Sequence, residues 1–190
     1  MTAGSGDCRH GVHMSPRLKA LLDRLDQFED AIPPSALKAA LVESGLTVED
    51  VADWVQYCDD HYARNRIHVG PSYHALALCW QVGQHSSIHD HSGSGCGVLV
   101  LKGHGVETVF DRGADGMLTE RHTRTVDHGA VCVSVDSDIH RLGNNDEQEN
   151  FVTLHVYSPP LLKWGVYAED SPEVEIGMDE EFAESLATAD

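Results

Sequence analysis

Between Gly83 and Gly103 the chain reads GQHSSIHDHSGSGCGVLVLKG, the pattern of a strand, a tight Gly/Ser turn and a second strand, with two histidines spaced His-x-His just before the turn. Side chains alternate sides along a strand, so His89 and His91 project from one face while Asp90 points the other way. Two imidazoles on one wall make half a metal site. Taken alone, they fit a pair of solvated histidines on an exposed strand equally well.

The periodicity around this stretch places it in a β-rich domain that follows a helical start. From Pro16 onward, Leu18, Leu21, Leu22, Leu25 and Phe28 recur at three- and four-residue steps, which predicts an amphipathic helix, and Pro33 and Pro34 break it. A second helix opens at Pro34 and Ser35, carries Leu37, Ala40 and Leu41, and closes at Gly45. A third is expected from Thr47 as N-cap, with Glu49 and Asp50 in its first turn and Val51, Trp54, Val55 and Cys58 on its apolar side. The period then switches to two. Strands are predicted over 73–82, 96–102, 105–111, 119–126, 130–135 and 150–157, separated by Gly103, by Gly113 with Gly116, by 127–129 and by 143–149.

Short strands at this spacing indicate a mainly β fold, an antiparallel sandwich or small jelly-roll barrel, beneath a helical N-terminal cap. The expected organisation is a disordered N-terminus over 1–14, a single domain over 15–168 (helical cap 16–60, β-barrel 66–165) and a solvated acidic tail over 169–190. A short helix around Met178 to Leu186 is the alternative for that tail.

Composition narrows the function. A chain of 190 residues is long enough to bury about two thirds of its surface without disulfides. With 31 acidic against 13 basic residues and a formal net charge of -18, its field repels phosphate backbones and anionic lipid, so neither nucleic acid nor membrane is an expected partner. No apolar run approaches the roughly 18 residues of a membrane span, and the first residues lack the hydrophobic core of a secretory signal; a cytoplasmic protein is expected, as a monomer. The cysteines Cys8, Cys58, Cys79, Cys96 and Cys132 are odd in number and scattered, against a disulfide framework or a zinc ribbon.

Gly83, His89, His91 and Gly103 fall in register with the first motif of the cupin superfamily, G-x5-H-x-H-x(3,4)-E-x6-G. Cys96 stands where many cupins carry a metal-binding glutamate. That replacement, together with Cys79-Trp80 and the run SSIHDH from Ser86 to His91, resembles the cysteine dioxygenases, cupins that oxidise thiols with non-haem iron. The resemblance covers roughly residues 50 to 165. His140 in HRLGN, with Asn144, matches the H-x3-N ending of the second cupin motif and completes a three-histidine set, whereas His104, His122 and His128 lack such context and are expected at the surface.

Three neutral imidazoles leave a divalent ion its full charge and open positions suited to a thiolate. Ligand identity alone admits zinc, nickel, copper or manganese; the resemblance implies Fe(2+). It also implies a relay of Thr153, His155 and Tyr157, which alternate with Leu154 and Val156 along VTLHVYSPP. Read from periodicity alone, that strand is half exposed with its polar face toward water. The resemblance further implies a Cys96–Tyr157 thioether crosslink, a cis Ser158–Pro159 bond, and a substrate site in which Arg64 of YARN clamps a carboxylate and Tyr62 lines the pocket. The implied reaction joins L-cysteine and O2 to give cysteine sulfinic acid. The alternatives are a dioxygenase of another small thiol such as 3-mercaptopropionate, whose relatives commonly lack this arginine, and a non-catalytic metal-binding cupin sensor.

Overall fold

The structure is a computed structural model that describes residues 13–134 and 138–179. The expected disordered start therefore lies outside the described residues except for positions 13 and 14, and the alternative tail helix lies outside them from residue 180.

Helix α1 spans Pro16–Leu25. Ser15 caps it, its Oγ accepting the Leu18 amide at 3.1 Å, and Pro16 occupies the first turn, where a missing N–H costs nothing. Leu18, Leu21, Leu22 and Leu25 are buried, each worth about 1.5–3 kcal/mol relative to exposure. Helix α2, Pro34–Ser44, ends at Gly45 in the left-handed conformation with φ 56°, which glycine adopts without a Cβ penalty. The third helix is shorter than the periodicity implies. It is a 3-10 helix over Val48–Trp54, started where the Asp50 carboxylate accepts the Thr47 amide at 2.9 Å and interrupted at buried Val51, whose φ/ψ of -118°/17° is not helical.

Eleven strands follow among the described residues: β1 Ala63–Val69, β2 His74–Trp80, β3 Ile88–His89, β4 Gly95–Lys102, β5 Gly105–Arg112, β6 Leu118–Val126, β7 Val131–Ser134, β8 Ile139–Gly143, β9 Phe151–Ser158, β10 Lys163–Ala168 and β11 Ser171–Met178. They form a five-stranded sheet in the order β1-β2-β9-β4-β7 and a six-stranded sheet in the order β11-β10-β3-β8-β5-β6, and every pairing is antiparallel. The chain is mainly β, a cupin-type jelly roll with two α-helices at its N-terminal end.

Strand β2 shows why the layers stack as they do. Ala75, Ala77 and Cys79 face the helices and pack with Leu18, Leu37 and Leu41. Leu76, Leu78 and Trp80 face the interior between the sheets. Small side chains on the helical side let α2 come close, and this is sharpest at Gly97 on β4, where a Cβ would lie 2.8 Å from Leu37 and from Leu41. Gly97→Val is accordingly expected to cost about 1–3 kcal/mol through overpacking, read as a lower urea midpoint at unchanged slope.

Four strands escaped the sequence reading. The β1 sequence ARNRIHV is polar because it forms a sheet edge, β8 is too short to show a period, and β10 and β11 lie at the opposite edge; the strand read before the Gly/Ser turn is β3, only two residues long. The stretch read as the start of a solvated acidic tail is instead strand β11, pairing Ile176 with Gly165 and Glu175 with Val166. Its alternation of Glu173, Val174, Glu175 and Ile176 is the period of an edge strand, hidden by its net charge. Just past it, Asp179 pairs with Arg66 of β1 at 2.7 Å, joining edges of the two sheets. The expected barrel bounds of 66 and 165 thus cut through β1 and β10. Among the described residues no helix is long and apolar enough to cross a membrane, and the Ser158–Pro159 bond is cis.

Candidate metal centre

Strand β3 pairs antiparallel with β8 so that His89 lies directly opposite His140, and His91 follows two residues on. One nitrogen from each of the three lies within 4.8 Å of the others. The ring centroids are 5.3 Å apart for His89 and His91, 4.8 Å for His89 and His140, and 4.9 Å for His91 and His140. All three side chains are buried. His104, His122 and His128 stand outside this cluster; His104 lies instead 3.3 Å from the Asp146 carboxylate.

The surroundings of each imidazole decide which nitrogen is free. The Nδ1 of His89 lies 3.0 Å from the Ser87 carbonyl, an acceptor only, so Nδ1 carries the proton and Nε2 keeps its lone pair. The Nδ1 of His140 lies 2.8 Å from Glu107 Oε1. Both nitrogens of His91 are buried without a hydrogen-bond partner among the described residues, which is costly for a group with one donor and one acceptor. A cation held by the three nitrogens satisfies that unmet demand. Burial, reinforced by the charge of His140, pushes the pKa of His89 down to about 3; burial, with His140 and His89, pushes that of His91 down to about 2. Both rings are therefore neutral at neutral pH, as metal ligation requires. The donor set and its burial fit a divalent non-haem metal.

Two carboxylates hold this geometry from outside, and neither was picked out in the sequence. Glu107 on β5 accepts from His140 with one oxygen and pairs with Arg124 through the other. Burial opposes its charge, but His140 and Arg124 outweigh burial and keep its pKa below the ordinary carboxylate value. The one signal for it was a lone acid inside the otherwise apolar strand GVETVF. Glu107→Gln is expected to weaken metal affinity roughly 10- to 100-fold, the usual cost of losing a histidine's outer partner, measured by metal titration of the purified protein. Asp90, pointing away from the histidines, accepts from Gly165 N at 2.9 Å, Tyr167 OH at 2.6 Å and Ser92 N at 3.0 Å. It thereby fixes the His-x-His segment to β10.

Strand β9 supplies the neighbouring wall. Thr153, His155 and Tyr157 share one face, as the alternation predicted, but that face looks into the interior and all three are buried. Of the two readings of this strand, the half-exposed one does not hold: β9 is a central strand, with Leu154 and Val156 packed under the helices. The rings of His91 and Tyr157 are 5.7 Å apart. His155 Nδ1 is 3.1 Å from Tyr157 OH, and His155 Nε2 is 3.0 Å from Thr153 Oγ1. Cys96 on β4 lies directly opposite Tyr157 in the register. Burial pushes its thiol up to about 12, so it is protonated and unreactive as a nucleophile at neutral pH. Burial, followed by Cys96, also raises the Tyr157 phenol above its ordinary value.

Arg64 lies on β1. Its guanidinium carbon sits 5.8 Å from the Tyr157 ring centroid and 5.1 Å from that of Trp164. Burial works against its charge, but the neighbouring Tyr157 and Tyr62 more than offset burial and raise its pKa. Tyr62 in turn stacks on Trp80 at 4.1 Å and 9°. A permanent cation thus stands beside Tyr157, whose ring neighbours His91 of the three-histidine cluster, an arrangement able to hold a small anionic ligand beside a metal. Trp164 lies on β10, a strand that the sequence periodicity does not show.

Comparison with known proteins agrees with this architecture. The family model described as Cysteine dioxygenase type I matches residues 14–170. Cysteine dioxygenase type 1 of Rattus norvegicus is 33% identical over 117 residues, covering 58% of this chain and 58% of that protein. The Homo sapiens protein is 32% identical over 119 residues, covering 59% and 60%. The aligned segment therefore spans less than two thirds of these relatives' length. Among solved structures, the TT1209 protein from Thermus thermophilus matches with a TM-score of 0.50 at 16% identity, over 60% of this chain and 99% of that one, a likeness of fold alone.

Proposed function

The chain belongs to the cysteine dioxygenase type I family, and from that premise we propose that it is an iron-dependent thiol dioxygenase converting L-cysteine and O2 to cysteine sulfinic acid. The observation that carries this reading is the meeting of three buried imidazoles, within 4.8 Å at their donor atoms, with a cationic Arg64 and the Tyr157 hydroxyl across the same space. His89, His91 and His140 are the ligands in this reading, and the metal is Fe(2+). Iron is preferred to zinc because it changes valence, and when bound it supplies the activation of O2 and the open positions that a thiolate can occupy.

The protein's own groups do the rest. Arg64 pairs its planar fork with the substrate carboxylate, which fixes the thiol end toward the histidines. Tyr62 holds the guanidinium and, stacked on Trp80, lines the pocket. Tyr157 donates its phenolic proton to an oxygen within the cavity, while His155 and Thr153 hold the phenol in place. The buried walls exclude water from the reacting thiol. Positioning is thus the main contribution of the polypeptide.

Direct opposition of Cys96 and Tyr157 across β4 and β9 supports a thioether between them. In that crosslink the S–H of Cys96 and a ring C–H beside the Tyr157 hydroxyl are replaced by an S–C bond, and two electrons and two protons pass to O2. Intact mass after repeated turnover is expected to fall by two hydrogens, and the loss is expected to vanish in Cys96→Ser.

The deciding experiment supplies Fe(2+) and O2 with cysteine, 3-mercaptopropionate and cysteamine in turn, following O2 uptake and product mass. The expected result is O2 consumption with cysteine and a product heavier by two oxygen atoms. Preferential consumption of 3-mercaptopropionate would reassign the substrate, and no O2 uptake with any thiol would leave a metal-binding sensor.

A further inference from the structure

Trp80, at the end of β2, is almost completely buried, and its Nε1 lies 3.2 Å from Thr153 Oγ1. This contact extends the Thr153–His155–Tyr157 row by one member, and the new member has a property the others lack. Hydroxyls and neutral imidazoles can each donate or accept, so a row made only of them has two equivalent directions. An indole nitrogen only donates.

We propose that Trp80 is a positioning residue that sets the direction of the whole hydrogen-bond chain and so aims the Tyr157 proton into the three-histidine cavity. The Trp80 N–H occupies one lone pair of Thr153 Oγ1. Among the described residues the one other polar partner recorded for that hydroxyl is His155 Nε2, at 3.0 Å. Were Nε2 protonated, the buried Thr153 hydroxyl would accept twice and its own proton would have no acceptor, the kind of unsatisfied buried donor that folded proteins avoid. The Thr153 proton therefore goes to Nε2, and the His155 proton sits on Nδ1. Burial and the Arg64 charge hold His155 well below its ordinary pKa, so the choice lies between two neutral tautomers.

From Nδ1 the chain continues in a fixed sense. His155 Nδ1–H donates to the Tyr157 oxygen at 3.1 Å, in preference to the Cys96 sulfur 3.8 Å from the same nitrogen, a weak acceptor. Arg64, whose guanidinium carbon sits 5.8 Å from the Tyr157 ring centroid, cannot accept. Neither His155 Nδ1–H nor the guanidinium can accept from the phenol, so its proton must point elsewhere. Its competitor within the wall is the Cys96 sulfur, a weak acceptor; an oxygen bound in the cavity is the stronger one. The reverse tautomer would leave His155 Nδ1 as an acceptor and turn the Tyr157 proton back into the wall.

The use of this direction rests on the dioxygenase reading, but the tautomer does not, and the test separates them. In 15N-labelled, metal-free protein, long-range proton–nitrogen spectra are expected to show His155 as a single Nδ1–H tautomer, its signals assigned by their loss in His155→Asn. In Trp80→Phe, which keeps a ring over Tyr62, the Nε2–H form is expected to rise roughly three- to tenfold, the worth of one net hydrogen bond. Trp80→benzothienylalanine keeps the bicyclic shape while removing the donor, and the same shift is expected there should the phenylalanine variant fold poorly. In iron-loaded Trp80→Phe, kcat is expected to fall by a similar factor with iron content and KM unchanged. An Nε2–H tautomer in the unsubstituted protein, or a tautomer ratio unmoved by loss of the indole N–H, would overturn the proposal; so would a shifted tautomer with unchanged kcat. The spectra need neither iron nor thiol, so failure of the dioxygenase reading shows separately, as absent O2 uptake.

Discussion

His140→Ala is expected to abolish stoichiometric iron binding and to lower thiol-dependent O2 uptake by more than about a thousandfold, well beyond the 10- to 100-fold cost of losing an outer partner such as Glu107. The physical reason is the placement of His140. It reaches the site from β8 across the β3–β8 pair, directly opposite His89, and no other histidine belongs to the cluster among the described residues. Two imidazoles on β3 and the segment after it would remain, too few to hold a labile divalent ion against water. Chelation of the unsubstituted protein is expected to give the same loss, reversed by Fe(2+) and not by Zn(2+), since zinc refills the ligands without a change of valence. Metal content by elemental analysis, beside O2 uptake on the same sample, checks both arms. Full iron occupancy in the alanine variant would remove His140 from the ligand set.

The second large effect is expected at Arg64. Loss of a charge-assisted pair with a carboxylate costs about 1.5–3 kcal/mol, or roughly 10- to 100-fold. Arg64→Ala is therefore expected to raise KM for cysteine by that factor while leaving cysteamine, which has no carboxylate, nearly unaffected. Arg64→Lys keeps the charge but loses the planar fork, and an intermediate value is expected. Because Tyr157 and Tyr62 raise its pKa further, Arg64 stays charged throughout the working pH range, so the discrimination is expected to be flat with pH. Steady-state kinetics with the two thiols decides the matter. Equal losses on both substrates would make Arg64 a prop for Tyr157 and Trp164 rather than a carboxylate clamp.

The sequence by itself determined the elements whose periodicity is uniform over enough residues. Helices α1 and α2, the long strands β2, β4, β5, β6 and β9, and the shared face of Thr153, His155 and Tyr157 were legible because side-chain direction follows backbone period. The pairing of His89 with His91 was legible for the same reason. His140 was legible only through a motif, since nothing local ties a residue on β8 to one on β3.

Tertiary structure alone decided which face of β9 looks inward, because period-two alternation says that two faces differ but not which one another sheet covers. It also decided the short and edge strands, where a row such as ARNRIHV or SPEVEIGM buries too little to show a pattern. Glu107 stands 33 residues from His140 and Trp80 73 from Thr153; with Trp164 they become partners of the site through the crossings β5–β8, β2–β9 and β3–β10. Local chemistry fixes the period of an element. The closing of one sheet over another fixes its neighbours.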